Sequence, residues 1–471
     1  MCGIAGGFGV DGRSATDAIA ALRHRGPDAA GSARVGEIGL AHARLAILDL
    51  DDRSNQPFAR DGIWLTYNGE CWNYEQLRRD LEADGATFAT TGDTEVVAAA
   101  IARWGTAALP LIEGMFAMAW TDGETLWVAR DRFGEVPVHV SGRTFASEIR
   151  AFPALGSDPV EAAMLPPGHV LEIGPDGSSR SARWYEPPIA PLDVDLEEAS
   201  LRLRERILEG CRERAISDVP VCTLLSGGVD SSIVAAGLRP WVPGLVSFTA
   251  VLEPGSRDLR EARAAAEMIG IPLIEVPVEP PTVDDLRGVV RTIEMPHKAQ
   301  VEIGWACLRL ADAMRAEGFK VTFSGEGSDE LWASYGFAYH ALRTQDWHRY
   351  RRDLFVGQHR KNFARCNKVF LSRGIECRLP FLHTDLVELA LRLPRSAVQD
   401  GRSKPKAVLQ RAASGLVPPK VATRAKVAFQ DGMGLKRAIA ETVADPGRVY
   451  RSEFAAYVLE LAGADRLDVT V

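Results

Sequence analysis

Val219-Pro220-Val221-Cys222-Thr223-Leu224-Leu225-Ser226-Gly227-Gly228-Val229-Asp230-Ser231-Ser232-Ile233 decides how the larger part of this chain folds. Val219–Leu225 is a short apolar run and reads as a buried strand. Ile233–Leu238 reads as the helix it opens. Between them, two glycines let backbone amides approach an anion closely, and the helix N-terminus adds positive potential. Ser226, Ser231 and Ser232 add hydroxyl donors. The loop is a phosphate cradle that lacks the lysine of a Walker loop. Ser-Gly-Gly alone would be a generic turn; the strand before it and the Val-Asp-Ser-Ser after it select the cradle.

Outward from this loop, helical and strand patterns alternate at βαβ spacing. They predict a doubly wound α/β domain with a helical C-terminal part. Gly244–Thr249, carrying Ser247, is the expected adenine-side wall. Lys320–Phe323 is a further strand and leads into Ser324-Gly325-Glu326-Gly327-Ser328-Asp329-Glu330. Loops at the carboxyl ends of such strands build the ligand crevice. The cradle resembles the pyrophosphate loop of enzymes that cleave ATP to AMP and pyrophosphate. Leu224, Ser226, Gly227, Gly228, Asp230, Ser231, Ser247, Ser324 and Gly325 are then the expected ATP contacts. Asp230 and Asp329 would face one another across the triphosphate as hard oxygen ligands for Mg²⁺.

Toward the N-terminus the chain divides at Trp184–Asp193, where three prolines in five positions disfavour helix and interrupt strand pairing. The predicted domains are 1–186 and 195–471. In the first, Ile63–Tyr67 and Thr125–Ala129 read as strands, and Tyr74–Glu82 and Glu95–Trp104 as helices. A chain of 471 residues suggests two or three domains, and 46% hydrophobic content fills ordinary cores. A net charge of −8 argues against wrapping nucleic acid. No apolar run reaches the ~18 residues of a membrane span, and the N-terminus lacks a signal-peptide layout. Seven cysteines without CxxC spacing read as reduced thiols, so a cytoplasmic protein is expected. Cys222 and Cys307 read as core; only Cys2 invites a functional reading.

If an aminopeptidase removes Met1, Cys2 carries a thiol and a free α-amine on one residue. Such an amine titrates at roughly 7.7 to 8.0 and serves as the base a nucleophile otherwise borrows from histidine. Arg23-His24-Arg25-Gly26-Pro27-Asp28, Ala41-His42-Ala43-Arg44-Leu45, Tyr67-Asn68-Gly69-Glu70 and Gly92-Asp93-Thr94-Glu95 follow in order. Together these blocks closely resemble the glutaminase domain of class II glutamine amidotransferases, and their order fits the asparagine-synthetase branch. The resemblance implies an Ntn-hydrolase-like αββα sandwich. Asn68 and Gly69, read as a polar turn after a strand, would aim a side-chain amide N–H and a backbone N–H at an oxyanion. Arg44 would clamp the glutamine α-carboxylate, with Glu70 and Asp93 receiving its α-ammonium. Near the C-terminus, Arg424-Ala425-Lys426-Val427-Ala428-Phe429-Gln430-Asp431-Gly432 resembles the family's lysine-bearing segment; Lys426 and Glu326 are carried over as catalytic.

The implied reaction hydrolyses glutamine at Cys2, activates a carboxylate with ATP as an acyl-adenylate, and lets ammonia displace AMP. The expected partners are glutamine, ATP and a carboxylic acid; nucleic acid and membrane are not expected, and a homodimer is admitted but not required. The acceptor region departs from the family. Where the family usually has Thr-Thr-Ile-Arg, this chain has Ala299-Gln300-Val301-Glu302. Two glycines before Tyr335 are replaced by Ala333-Ser334, and Pro-Phe-Leu-Asp becomes Pro380-Phe381-Leu382-His383. Glu302, Ser334, Tyr335 and His383 are the expected specificity positions, and exchange of Arg for Glu302 predicts an acceptor other than free aspartate. The competing readings are an ordinary asparagine synthetase, an intramolecular cyclase of the β-lactam-synthetase kind, and a sensor or scaffold.

Overall fold

The computed structural model describes residues 1–400, 405–423 and 433–463. Lys426 and the rest of 424–432 lie outside the described residues. Residues 3–183 build two antiparallel six-stranded sheets. The first runs β10 (Ala163–Met164), β8 (His139–Ser141), β9 (Thr144–Ala146), β1 (Gly3–Phe8), β3 (Ile38–Arg44), β2 (Ala29–Val35). The second runs β12 (Ser179–Arg183), β11 (His169–Ile173), β7 (Leu126–Arg130), β6 (Gly114–Thr121), β5 (Ile63–Cys71), β4 (Phe58–Arg60).

The period-2 alternation of strand side chains sets the layers. In β6, Met115, Ala117 and Ala119 join Ile4, Ile38 and Leu40 of the other sheet. Phe116, Met118 and Trp120 turn the opposite way, onto Leu77 and Leu81 of α2 (Tyr74–Ala83) and Val97 and Ile101 of α3 (Thr94–Trp104). In β1, Ala5 faces Ala15, Ala18 and Leu22 of α1 (Gly12–Leu22). The result is an αββα sandwich, as expected.

Asn68 and Gly69 are a correction to the sequence reading. They form no turn: both lie inside β5, paired with Ala117 and Phe116 of β6. A Cβ on Gly69 would stand 2.3 Å from the Met115 carbonyl oxygen, so the strand passes here only without a side chain.

The second half is parallel. β13 (Cys222–Leu224), β14 (Val246–Val251) and β15 (Leu273–Pro277) form one sheet, and β16 (Val321–Phe323) pairs with β17 (Glu376–Arg378). A parallel bridge between Val221 and Val321 joins them in the order β15-β14-β13-β16-β17. The strand order therefore reverses between β13 and β16, the place where a doubly wound sheet opens its crevice. Around it lie α4 (Leu196–Arg214), α5 (Val229–Leu238), α6 (Arg257–Ile269), α7 (Val283–Ile293) and α8 (Lys298–Ala316). Beyond β16 the regular structure of the described residues is helical apart from β17.

The proline-rich segment is anchored along its length. Trp184 stacks on Phe116, the Tyr185 hydroxyl donates to Glu388 at 3.0 Å, and the Leu192 N–H donates to the Arg392 carbonyl at 2.9 Å. All seven cysteines are free and buried, and no described helix is long and apolar enough to cross a membrane.

Two candidate active sites

Cys2 immediately precedes β1 and is held from three sides. Its N–H donates to Asn68 Oδ1 at 2.7 Å, its carbonyl accepts from Arg25 Nε at 3.0 Å, and its thiol lies 3.9 Å from the Leu45 carbonyl. The bond to Oδ1 fixes the Asn68 amide, so Nδ2 faces the other way. That Nδ2 is buried and has no partner. A buried donor left open is costly unless the site puts an acceptor there. Arg44, Gly69, Glu70 and Asp93 line the same small pocket as Cys2, whose free volume is about 30 Å³ with Met1 in place.

Electrostatics here follow burial. The Cys2 thiol is raised above its ordinary value by desolvation. Burial also lifts the Asp93 carboxyl to about 6, against the Cys71 N–H at 2.9 Å and the Tyr67 hydroxyl at 3.1 Å that it accepts. Glu70 is raised well above the carboxylate range by burial and by the neighbouring Glu376, and its Oε2 has no partner. His42 is held neutral, near 3, by burial, with Nε2 at the Tyr67 carbonyl. Both terminal nitrogens of Arg44 contact the 48–55 loop, with Nη1 at 2.9 Å from the Asp51 carbonyl and 2.8 Å from Asn55 Oδ1. A carboxylate ligand must share or displace those bonds.

The Met1 ammonium is fully buried and pairs with Glu376 of β17. Burial is the largest influence and opposes its charge, but Glu376, Cys2 and Glu70 together overcome it and raise the ammonium above its ordinary value. Met1 thus occupies the junction between the two halves. Its removal would free the Cys2 amine beside Asn68 Oδ1.

The second site is a cavity of about 140 Å³ at the switch point. Leu224, Ser226, Asp230 and Ser231 line one side, Ser324, Gly325, Glu326 and Asp329 the other. The two loops abut so closely that a Cβ on Gly325 would stand 2.9 Å from the Ser231 nitrogen. The Ser231 hydroxyl accepts from the Ser226 N–H at 3.1 Å and lies 3.0 Å from Ser226 Oγ, which pins the cradle at the start of α5. Phe248, Ala250, Ile303, Leu310 and Phe370 give the cavity an apolar end suited to a base.

Asp230 and Asp329 are brought together as expected, and both touch the ammonium of Lys406. That spacing and two hard carboxylates fit a divalent cation. Among the described residues no three His, Cys, Asp or Glu side chains converge on one point, so oxygen ligands from a bound phosphate would have to complete its shell.

Other expected positions fall differently. Ser247 is turned off the cavity, its hydroxyl bonded to the Pro272 carbonyl at 2.8 Å; its neighbours Phe248, Thr249 and Ala250 form the wall instead. Gly227 and Gly228 are not in the lining. Glu302 is buried on α8 at 3.9 Å from Lys298, while the face of α8 that lines the cavity is Ile303, Cys307 and Leu310. His383 pairs with Glu213 of α4 at 3.1 Å and is not among the lining residues. Ser334 donates to Asp329 Oδ1 at 2.6 Å, and Tyr335 to Glu330 Oε1 at 2.6 Å, so both serve the carboxylate loop. Glu326 is engaged by the buried Arg365.

Four residues of the two sites had no role assigned from the sequence. Lys406 carried no signal in Arg402-Ser403-Lys404-Pro405-Lys406. Arg365 and Asn367 had no assigned task. Arg25, in the Arg23–Asp28 block, joins the Cys2 carbonyl to Glu148 at 2.7 Å and to Asn367 at 2.8 Å.

Residues 1–180 match the family model for a glutamine amidotransferase domain, and residues 202–368 and 357–458 match the asparagine synthase model. The glutamine-hydrolysing asparagine synthetase of Brassica oleracea is 30% identical, over 94% of this chain and 81% of its own. Asparagine synthetase B of Escherichia coli is also 30% identical, over 94% of this chain and 86% of its own. The Sandersonia aurantiaca synthetase matches at 30% over 92% and 87%.

Proposed function

Because this chain belongs to the family of glutamine-hydrolysing asparagine synthetases, we propose that it joins glutamine hydrolysis at Cys2 to ATP-driven amidation in the cavity between β13 and β16. It is a carbon–nitrogen ligase with glutamine as amido donor. We assign residues 1–186 to the glutaminase and 195–471 to the synthetase. The observation that carries the reading is the Cys2–Asn68 pair, with Nδ2 buried and open. A ligase fed by free ammonia or by a substrate amine has no use for it, which weighs against a cyclase.

With Met1 removed, the Cys2 amine takes the thiol proton and the thiolate attacks the glutamine side-chain amide. Asn68 Nδ2 and the Gly69 N–H receive the oxyanion. Ammonia leaves, and water releases glutamate from the thioester. Asp93 holds the α-ammonium of glutamine, Glu70 accepts a further hydrogen bond from it, and Arg44 holds its α-carboxylate. In the other half the Ser226–Ser231 cradle binds the phosphates of ATP. The acceptor carboxylate attacks the α-phosphorus, pyrophosphate leaves, and ammonia displaces AMP from the acyl-adenylate. Asp230 and Asp329 would hold Mg²⁺, which would neutralise charge on the departing pyrophosphate. Glu326, in the cavity lining beside Arg365, is assigned a catalytic role, and Lys426 is assigned the positive charge expected at the acyl carbonyl.

The acceptor is a carboxylic acid other than free aspartate. Support comes from the exchange at position 302, where the family usually carries an arginine able to match a second carboxylate; Glu302 itself lies outside the cavity lining, so what counts is the loss of that arginine. Identity with the curated synthetases favours the second reading, ordinary asparagine formation. Pyrophosphate release across a panel of carboxylic acids, with ATP, Mg²⁺, glutamine and a native N-terminus, decides between them. Turnover with another acid and silence with aspartate is expected. Efficient asparagine formation would establish the second reading.

A further inference from the structure

Lys406 directly precedes the helix Ala407–Ala412 and is 4% exposed. Its ammonium lies 2.8 and 2.7 Å from the two carboxylate oxygens of Asp230 and 2.6 Å from Oδ1 of Asp329. The lysine nitrogen therefore stands where a cation must stand to touch both carboxylates. The pair is also braced from outside, by Ser328 Oγ on Asp230 at 2.5 Å and Ser334 Oγ on Asp329 at 2.6 Å. Two carboxylates this close repel one another unless a positive charge lies between them. Lys406 supplies that charge.

A divalent ion entering alone must evict a buried, triply bonded ammonium and surrender hydration water for only two protein carboxylates. Magnesium dehydrates reluctantly and is usually held by one or two carboxylates together with substrate phosphates. An ion that arrives on a triphosphate brings further oxygens with it, and the same phosphates offer the displaced ammonium a new anion.

We infer that Lys406 is a placeholder cation: it closes the Asp230–Asp329 pair to free divalent ions and yields it only to an ion delivered with a nucleoside triphosphate. The inference rests on the assignment of Asp230 and Asp329 as metal-facing residues. Lys406 acts through those carboxylates and is a positioning residue.

Mn²⁺ is the probe, followed by electron paramagnetic resonance on the full chain without acceptor or glutamine. Wild-type protein is expected to take up no stoichiometric Mn²⁺ alone, and one equivalent with α,β-methylene-ATP. Lys406→Met is expected to bind Mn²⁺ without nucleotide at least about tenfold more tightly than wild type. Lys406→Met binding no better than wild type would overturn the inference while leaving the metal assignment standing. Asp329→Asn is expected to lose the nucleotide-dependent Mn²⁺ site. If it keeps that site, the metal assignment fails and the inference falls with it. Thermal melts of the wild type make the result independent of how the variants fold. Mn²⁺ alone is expected to leave the midpoint unchanged and Mn²⁺ with nucleotide to raise it; a rise with Mn²⁺ alone overturns the inference.

Discussion

Asn68 is a buried polar side chain in mid-strand, a position that stability alone would give to an apolar residue. Its Oδ1 is committed to the Cys2 N–H and its Nδ2 to nothing in the resting protein. Asn68→Ala is expected to lower glutamine-dependent kcat by about 10²–10³-fold, the usual cost of one oxyanion donor. Ammonia-dependent amidation should be unchanged, and comparing the two nitrogen sources makes the check. Asp93 adds a pH dependence. Its carboxyl is lifted to about 6 by burial, so it loses its charge as pH falls through 6. The KM for glutamine should then rise by about tenfold per unit below that point, since only the charged form attracts the α-ammonium. Asp93→Asn should have a high KM that is flat with pH; a flat wild-type profile between pH 5 and 7.5 would remove Asp93 from the glutamine site. Residues of this kind were legible because the chemistry demands them by type. The contacts of Ser334 and Lys406 with Asp329 were not: Ser334 was expected at the acceptor pocket, and a lysine in a polar stretch is ordinarily solvated.

At the scale of the element, β5 shows how local and tertiary signals compete. Asn-Gly between apolar runs is the strongest short hairpin signal, and it suggested a turn. Pairing with β6 from Trp64 to Cys71 overrides it and keeps the strand straight through both residues. What the dipeptide marks is a place where the neighbouring backbone comes too close for a side chain. Gly69→Ala is expected to destabilise the protein by roughly 1–3 kcal/mol through overpacking against Met115, read as a lower denaturation midpoint with the slope unchanged. The strand-loop-helix of the cradle was legible because one contiguous segment encodes it. The sheet order was not: Val221 and Val321 meet across a hundred residues, and no local pattern encodes that bridge.

On the scale of the whole molecule, the helix Asn362–Leu371 ties the two sites together. Its first turn carries Asn362, which donates to Glu330 at 2.8 Å, and Arg365, which holds Glu326 in the ATP cavity. One turn later Asn367 accepts from Arg25 at 2.8 Å, and Arg25 holds the Cys2 carbonyl at 3.0 Å. Lys368 then pairs with Glu294 at 2.6 Å, and Glu294 accepts from the Ile149 and Arg150 N–H groups of the glutaminase half at 3.0 and 3.1 Å. The helix thus runs from the Glu326–Glu330 loop beside the cavity to Arg25, which holds the Cys2 carbonyl. Sequence separation hid this link, because Arg25 and Asn367 lie 342 positions apart. Asn367→Ala removes the Arg25 contact without touching Cys2, Asn68 or the ATP cavity. Glutamine hydrolysis should then run ahead of synthesis, so that glutamate formed per pyrophosphate released rises above the wild-type ratio while ammonia-dependent synthesis stays near normal. Measuring both products in one time course decides the matter. An unchanged ratio would mean that the two sites keep step through the acceptor alone, with the helix serving only as packing between the halves.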